Sequence, residues 1–232
     1  SWKQYVRIEG QMKKFFTAFF LLVSGVCFGK DLYDVEVNPL IQAIWKKDRL
    51  QVEQLINQGA DVNVAHEDTA LVTAIDIRPQ DFDIEIVKLL LNAKKIDVNK
   101  YSTKPLGGRS WCRTPLIAAV NTGNIEVVRL LLAKGAKVNL TDQLVPTSDL
   151  IGPEPLNTAL HYAAEKGFAD IAELLLDKGA NIEQLNATGK TPLMAAVLPV
   201  TNESDAFTKE NACKVISVLL KRGAKVDSCP FS

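Results

Sequence analysis

Two histidines are the first residues to consider for chemistry, because His acts as a general base and is the commonest metal ligand. His66 is followed by Glu67 and Asp68, so three potential zinc ligands stand in a row. Consecutive side chains of an extended segment cannot all face one ion, and we therefore expect a polar surface turn without a metal. No nucleophile, base and acid occur in a recognisable catalytic set around His161 or elsewhere. The sequence predicts that this chain is not an enzyme.

The cysteines and the glycine-rich segment predict no redox, zinc or nucleotide site. Cys27, Cys112, Cys213 and Cys229 include no C-x-x-C pair, the arrangement typical of thiol redox and structural zinc sites. The segment 106–109 lacks the spacing and the Lys of a phosphate-binding loop. A disulfide between Cys213 and Cys229 would require the C-terminal tail to fold back along the preceding helix. We expect neither a cofactor nor a metal.

The charge balance argues against nucleic acid as a partner. The 232 residues contain 27 basic and 27 acidic side chains. Residues 1–29 hold four of the basic and one of the acidic groups, which leaves 23 basic and 26 acidic groups in the rest. A net charge of −3 provides no basic surface for phosphates, which dominate binding to DNA and RNA.

The first 29 residues have the pattern of an export signal. Met12-Lys13-Lys14 precedes the 14-residue apolar stretch 15–28, and Gly29 follows it. A basic start, a short apolar run and small residues at its end are typical of a secretory signal peptide. Fourteen residues are too few to span a hydrocarbon core of about 30 Å, so we expect no permanent membrane span. Cleavage near Gly29 would release a periplasmic or secreted protein, and residues 1–11 are either an upstream extension or a cloning remnant.

A repeated pattern occupies the rest of the chain. Three segments begin alike, at Thr114, Thr158 and Thr191, with two residues of the Pro-Leu type and an Ala pair. Each is followed by an apolar run and then by Gly-Ala, and the last two copies start 33 residues apart. Weaker copies begin at Asn38 and near Thr69. We place the repeats at about 38–67, 68–112, 113–156, 157–189 and 190–228.

These motifs resemble the ankyrin-repeat family over roughly residues 38–227, at its period of 33 residues. The resemblance implies an all-α solenoid of stacked helix–turn–helix units with β-hairpin-like fingers between them. Thr114-Pro115 and Thr191-Pro192 fit the first two positions of a helix, and Gly179 fits a left-handed position after one. His161 occupies a family position where the resemblance implies a hydrogen-bonding bracket between helix and finger.

The copies differ in the length of the fingers, by which we mean the residues between the closing Asn-like residue of one copy and the Thr of the next. The short finger is 184–190, whereas the first long finger is 100–113 and the second long finger is 140–157. Two other insertions, 78–81 and about 199–209, fall between the helices of a copy. Long insertions in repeat proteins often form the binding face.

We therefore predict that a partner binds the two long fingers, which are neighbours in the stack. The first is rich in the aromatic and basic types found at binding hot spots, whereas the second has apolar residues edged by the acids Asp142, Asp149 and Glu154. An alternative is that the basic finger simply packs against the acidic one. The candidate partner-binding residues are Tyr101, Lys104, Arg109, Trp111, Arg113, Leu144, Asp149 and Leu150.

The sequence therefore predicts an exported, non-catalytic, monomeric module that binds a protein. A secreted effector that binds a host protein is one alternative, and an accessory subunit of an enzyme is another. Nearly all of 38–227 is repeat or insertion, which leaves no catalytic domain there. Fold alone does not identify the partner.

Overall fold

The computed structural model describes residues 38–64, 69–76, 82–106, 109–145, 156–201 and 206–226. For 103–106, 109–111, 144–145, 198–201 and 206–208 it describes the backbone alone. The export signal over 12–29, His66, the insertion 78–81, Asp149, Leu150 and Cys229 lie outside the described residues.

The described residues form ten helices in five consecutive pairs, each an inner helix followed by an outer one. The Thr-type motifs start the inner helices, and the apolar runs form the outer helices, as the sequence predicts. The pairs are α1 Pro39–Trp45 with α2 Arg49–Asn57, α3 Ala70–Ile75 with α4 Ile84–Asn92, α5 Pro115–Thr122 with α6 Ile125–Ala133, α7 Ala159–Glu165 with α8 Ala169–Asp177, and α9 Pro192–Thr201 with α10 Ala206–Lys221.

The inner helices begin where their caps dictate. Thr114 is the N-cap of α5, its hydroxyl accepts from the backbone N–H of Ile117, and Pro115 follows at the first helical position. Pro has no N–H to leave unsatisfied there, and its fixed φ suits the first turn. Thr191 likewise accepts from the N–H of Met194 at the start of α9. Both predicted cap motifs are confirmed.

Stacking buries the apolar face of each pair in two layers. Inner helices contact inner helices and outer helices contact outer helices along the whole series. Ala118 and Ala119 in α5 are fully buried, and small side chains of this kind allow two helices to approach closely. In the outer layer Leu131 and Leu175 are also fully buried. No pair could bury these faces alone, so the interfaces between copies hold the solenoid together.

The closing Asn residues join each copy to the next. The side-chain amide of Asn139 donates to the carbonyl of Gly179 (3.1 Å), and its oxygen accepts from the N–H of Asn181 (2.8 Å). Asn63 and Asn99 make the same pair of bonds to the copies that follow them. The repeated Asn thus satisfies loop backbone groups that helices leave without partners.

The two long fingers add a small antiparallel sheet to the helical fold. The first long finger forms a hairpin of β1 Ser102–Leu106 and β2 Arg109–Arg113, and the second contributes β3 Gln143–Val145. The strand order is β1-β2-β3. The all-α solenoid with hairpin-like fingers is therefore confirmed, and the pairing of β2 with β3 shows that neighbouring fingers are joined by backbone hydrogen bonds.

Most of the insertion predicted at about 199–209 is helical and does not form a loop between the two helices. Helix α9 continues to Thr201 and α10 begins at Ala206, so most of the extra residues lengthen the two helices of the last pair. Helix α10 has 16 residues, whereas the four outer helices before it have nine each.

Candidate functional site

The second long finger and the short finger are each closed by the same pair of hydrogen bonds, which we call the clamp. In the second long finger the N–H of Asp142 donates to the carbonyl of Asn157 (2.9 Å), and the N–H of Asn157 donates to the Asp142 carboxylate (2.7 Å). In the short finger Asn186 and Lys190 repeat both bonds, at 3.0 and 2.9 Å. Asp142 and Asn186 each lie three residues after the closing residue of their copy.

The extra residues of the second long finger are therefore inserted at its tip. Residues 143–156 lie between the two members of its clamp, whereas only 187–189 lie between those of the short finger. The bridge between Thr141 and Thr158 continues the clamp toward the helices. The repeat below the clamp is undisturbed, so the tip can vary without altering the stack.

The strand register brings candidate positions of both long fingers together. Lys104 pairs with Trp111 in the hairpin, and Trp111 pairs in turn with Leu144 of the second long finger. Arg109 and Arg113 lie two residues on either side of Trp111 in the same strand. Because residues alternate between the faces of a strand with a period of two, these five backbone positions belong to one face of the sheet.

Tyr101 and Arg113 brace the fingers at their base. The Tyr101 hydroxyl donates to the carbonyl of Thr141 (3.0 Å), and partial burial raises the pKa of this phenol. Arg113 forms an ion pair with Asp76 at the end of α3 (3.0 Å), where both side chains are mostly buried. These two candidates therefore already hold the fingers to each other and to the stack, while Tyr101 stays partly exposed.

The sequence predicted that Asp142 is one of the acids at the edge of an apolar surface, and the structure contradicts this. It is fully buried, and its carboxylate accepts from the Tyr162 hydroxyl as well as from Asn157. Burial raises the pKa of Asp142 despite these hydrogen bonds, and burial beside the carboxylate raises the pKa of Tyr162. Asn157 in turn accepts from the side chain of Asn186 (2.8 Å), which links the second long finger to the short one.

His161 is the structural bracket that the family resemblance implies. Its Nδ1 accepts from the Thr158 hydroxyl (2.8 Å) and backbone N–H, so the proton lies on Nε2, which donates to the carbonyl of Lys190 (3.0 Å). The ring is fully buried, and desolvation lowers its pKa. A neutral imidazole with both nitrogens engaged supports the short finger and is not available as a general base.

Metal ligands and thiols are the other features of the described residues on which the sequence makes predictions. No group of three or more His, Cys, Asp or Glu that could hold a metal occurs among them. Cys112 is buried and Cys213 is exposed. None of the described helices is both long and apolar enough to span a bilayer.

An exposed apolar pair in the first copy was not predicted from the sequence. Trp45 is 50% exposed at the end of α1, and Leu50 is 72% exposed at the start of α2. A residue-by-residue alignment of the copies could have pointed to them, because the next three copies have Asp76, Asn121 and Glu165 in place of Trp45, and Glu85, Glu126 and Asp170 in place of Leu50.

Family models agree with the repeat pattern. A model described as ankyrin repeats in three copies matches residues 40–142 and 147–228, and one described as ankyrin repeats in many copies matches 116–176.

Three curated relatives are similar to part or most of the chain. The phosphocholine transferase AnkX of Legionella pneumophila is 30% identical over 204 residues, 86% of this chain and 17% of AnkX. The human transient receptor potential cation channel subfamily A member 1 is 32% identical over 107 residues, 46% of this chain and 9% of the channel. Alpha-latrocrustotoxin-Lt1a of Latrodectus tredecimguttatus is 34% identical over 116 residues, 49% of this chain and 7% of the toxin.

The chain thus matches less than a fifth of the length of each of these relatives, whose names describe different activities. The feature common to them and to the family models is the repeat itself, which agrees with the stacked helix pairs, the Asn bonds between copies and the fingers. Repeats of this kind are scaffolds that bind proteins. The chain belongs to the ankyrin-repeat family.

Proposed function

We propose that this chain is an exported, non-catalytic module that binds one protein partner through its two long fingers. The observation that carries the proposal is the pairing of β2 with β3, which makes one sheet from two enlarged fingers. Hydrogen bonds of Asp142 and Tyr101 and the ion pair of Arg113 fix the base of this sheet. A surface that is ordered before binding loses less conformational entropy when a partner docks.

The types of residue at the shared face support a protein ligand. Trp111 and Arg109 are of the kinds that dominate binding energy at protein interfaces. Replacing both with Ala should abolish capture of the partner, because the anchor and its charge are removed, while the melting temperature changes little. We suggest affinity capture from periplasmic and host extracts. A Lys166→Gln variant is the control, since it removes an exposed charge from the turn between α7 and α8, at the end of the pair opposite the fingers. A lower melting temperature with capture retained would contradict the proposal.

Export is supported by the sequence alone, through Lys13-Lys14 and the short apolar run 15–28. The mature protein should then begin near Lys30. N-terminal sequencing of the protein from its native host tests this, and retention of 15–28 in a membrane fraction would contradict it. The partner of an exported module lies either in the periplasm or, for a secreted effector, in a host, and the two extracts distinguish these cases.

A second candidate function is that of an accessory subunit of an enzyme. The similarity to the phosphocholine transferase AnkX over 86% of this chain favours it, because there the repeats belong to an enzyme. In that case the captured partner would be a catalytic protein, and its turnover would change when the finger variant replaces the wild type.

A further inference from the structure

The fifth copy exposes an apolar side chain at a position that is buried in every earlier copy. Val197 lies six residues after the N-cap Thr191 of its inner helix and is 41% exposed. At the same position the four earlier copies have residues that are at most 1% exposed, namely Ile44, Ile75, Val120 and Ala164. Each of those copies is followed by another, whereas no copy follows the fifth among the described residues. Val197 therefore belongs to a stacking face that has no covering copy.

Two more apolar residues of the fifth copy show the same change. Met194 is half-buried, whereas the matching side chain is buried in each of the four earlier copies. Leu220 in α10 is 43% exposed. Leu132, at the same position of the third copy, is half-buried and lines a cleft together with Leu174 of the following copy. We call the uncovered surface of Met194, Val197 and Leu220 the end face.

The first copy, at the other end of the described stack, has a polar residue on its own open face. Gln51 lies three residues after the N-cap of α2, where the next three outer helices have Ile86, Val127 and Ile171. Those three side chains are buried, whereas Gln51 is exposed. Terminal repeats need a polar outer face to stay soluble. The fifth copy keeps apolar residues on its open face instead, which indicates that another surface covers them.

The charge at the edge of the end face indicates what kind of surface this is. At two interfaces the last residue of an outer helix accepts from a basic residue of the following copy. Asp177 pairs with Arg222 (2.7 Å), and Asn92 accepts from Lys134 (2.9 Å). The last residue of α10 is Lys221. A cation at this position is complemented by an acid on the covering surface.

Lys221 is the available cation at this edge, because the nearest other basic residues are engaged. Arg222 forms ion pairs with the fourth copy, Lys214 forms one within α10, and Lys225 also has an interaction. Lys221 itself is exposed and has no hydrogen bond or ion pair with the residues that the structure describes.

A second copy of this chain does not complement the end face. If it docked through its first copy, it would place the polar Gln51 against the apolar side chains. If it docked through its own end face, it would bring like charges together, because residues 206–226 contain five basic groups and one acid. The covering surface is therefore that of a different protein.

We propose that the end face docks an amphipathic helix of another protein, with acidic residues beside its apolar stripe. Helices of the following copy cover this face in each of the four earlier copies, and an amphipathic helix presents the same kind of apolar surface. Burial of Val197 and Leu220 drives docking, and Lys221 provides the preference for acids. The end face is separate from the two long fingers, so this interface does not depend on the proposed function.

Binding of labelled helical peptides to the purified full chain, measured by fluorescence anisotropy, tests the proposal. The acidic probe has Leu at helical spacing and Glu elsewhere, and the basic probe has Lys in place of Glu. We expect the chain to bind the acidic probe more tightly. Lys221→Glu should weaken that binding about fivefold, the upper range for one exposed ion pair, and strengthen binding of the basic probe. Val197→Gln should weaken it about tenfold or more.

The controls separate the end face from other basic or apolar parts of the chain. Lys46→Glu makes the same charge change at an exposed position of the first copy and should leave binding of the acidic probe unchanged. The melting temperature of each variant should stay near that of wild type. If Val197→Gln lowers it, Leu220→Gln replaces that variant.

Several results would overturn the proposal. Equal affinity for the two probes, or binding that neither Lys221→Glu nor Val197→Gln weakens, would do so. A dimer in analytical ultracentrifugation that Val197→Gln dissociates would assign the end face to a second copy. A photoreactive residue in place of Leu220 should cross-link, in cells of the native host, to an acidic helical segment of another protein. A cross-link within the chain would show instead that the chain itself covers the end face.

Discussion

The second long finger and the short finger start and end in the same way and differ in what lies between. Both close with an Asp or Asn three residues after the closing residue of the copy, and both use one backbone–backbone bond and one bond from a backbone N–H to the Asp or Asn side chain. Fourteen residues lie within one clamp and three within the other. The comparison shows that finger length in this solenoid is separate from the stacking of its helices, so the long tips can serve binding.

The largest expected effect is on the free energy of unfolding, and it tests whether the stability of the helix stack depends on finger length. Leu131 precedes the second long finger and Leu175 precedes the short one, and both are fully buried. Replacing either with Ala should lower the free energy of unfolding by about 2–5 kcal/mol. Chemical denaturation measures both variants. A loss below about 1 kcal/mol in one of them would mean that the two copies are not equivalent.

The clamp of the second long finger should be the next most sensitive feature. Asp142→Ala leaves the buried N–H of Asn157 without its acceptor, at about 1–3 kcal/mol, and also removes the acceptor of the partly buried Tyr162 hydroxyl. Asn186→Ala is the matched change in the short finger, where the side chain accepts from Thr188 and Lys190. Amide hydrogen exchange at the clamp of each finger should be faster in the corresponding variant than in wild type, because the clamp opens locally. Unchanged protection in both would contradict the shared clamp.

A smaller effect on stability should distinguish the clamp with the acid Asp142 from the clamp with the neutral Asn186. Asp142→Asn keeps an acceptor for Asn157 and copies the residue of the short finger. Burial raises the pKa of Asp142, so the folded state holds its proton more tightly than the unfolded state. The ionised Asp142 therefore lowers the free energy of unfolding of the wild type at neutral pH. This stability is regained as the pH falls through the raised pKa and the carboxylate takes up a proton.

The stability advantage of Asp142→Asn over wild type should be greatest at neutral pH and should shrink on acidification. Denaturation of both proteins across a pH series measures it. An advantage that grows as the pH falls would mean that the hydrogen bonds to the carboxylate outweigh its burial.

The smallest expected effect concerns the loops that lead into the fingers. Gly179 precedes the short finger with a φ of +82°, whereas Lys95 precedes the first long finger with a φ of +68°. Lys95→Gly should stabilise the chain by less than about 1 kcal/mol, because relief of the left-handed strain is partly offset by a more flexible unfolded chain. The melting temperature, with Lys94→Gly as a control, tests this. A decrease would show that Lys95 makes a contact worth more than its strain.

The repeated stack could be predicted from sequence because its signals are local. Thr114-Pro115 specifies a helix start, and Gly179 specifies the turn after an outer helix. The family resemblance then implied that these helices stack as helix–turn–helix units. The extended helices α9 and α10 were not predicted, because the extra residues at about 199–209 were assigned to an insertion between the two helices.

The site was predicted less completely because its properties depend on distant contacts. Asp142 looks like a surface acid in sequence, yet Tyr162, twenty residues later, covers it. The register that joins Trp111 to Leu144 arises from pairing between two fingers and cannot be read from either one. Trp45 and Leu50 were overlooked because exposure is informative only when the matching positions of other copies are compared.

The most direct test of the account is to exchange one finger tip for another. Residues 143–156 would be replaced by the Ala-Thr-Gly of 187–189, with Asp142 and Asn157 kept as the clamp. We predict a cooperative unfolding transition near that of wild type, since the helix interfaces are untouched and only the pairing of β2 with β3 is lost, together with loss of partner capture. Leu185→Ser, an exposed position of the short finger, should leave capture intact. Capture by the exchanged chain at wild-type affinity would contradict the central claim that the long fingers bind the partner.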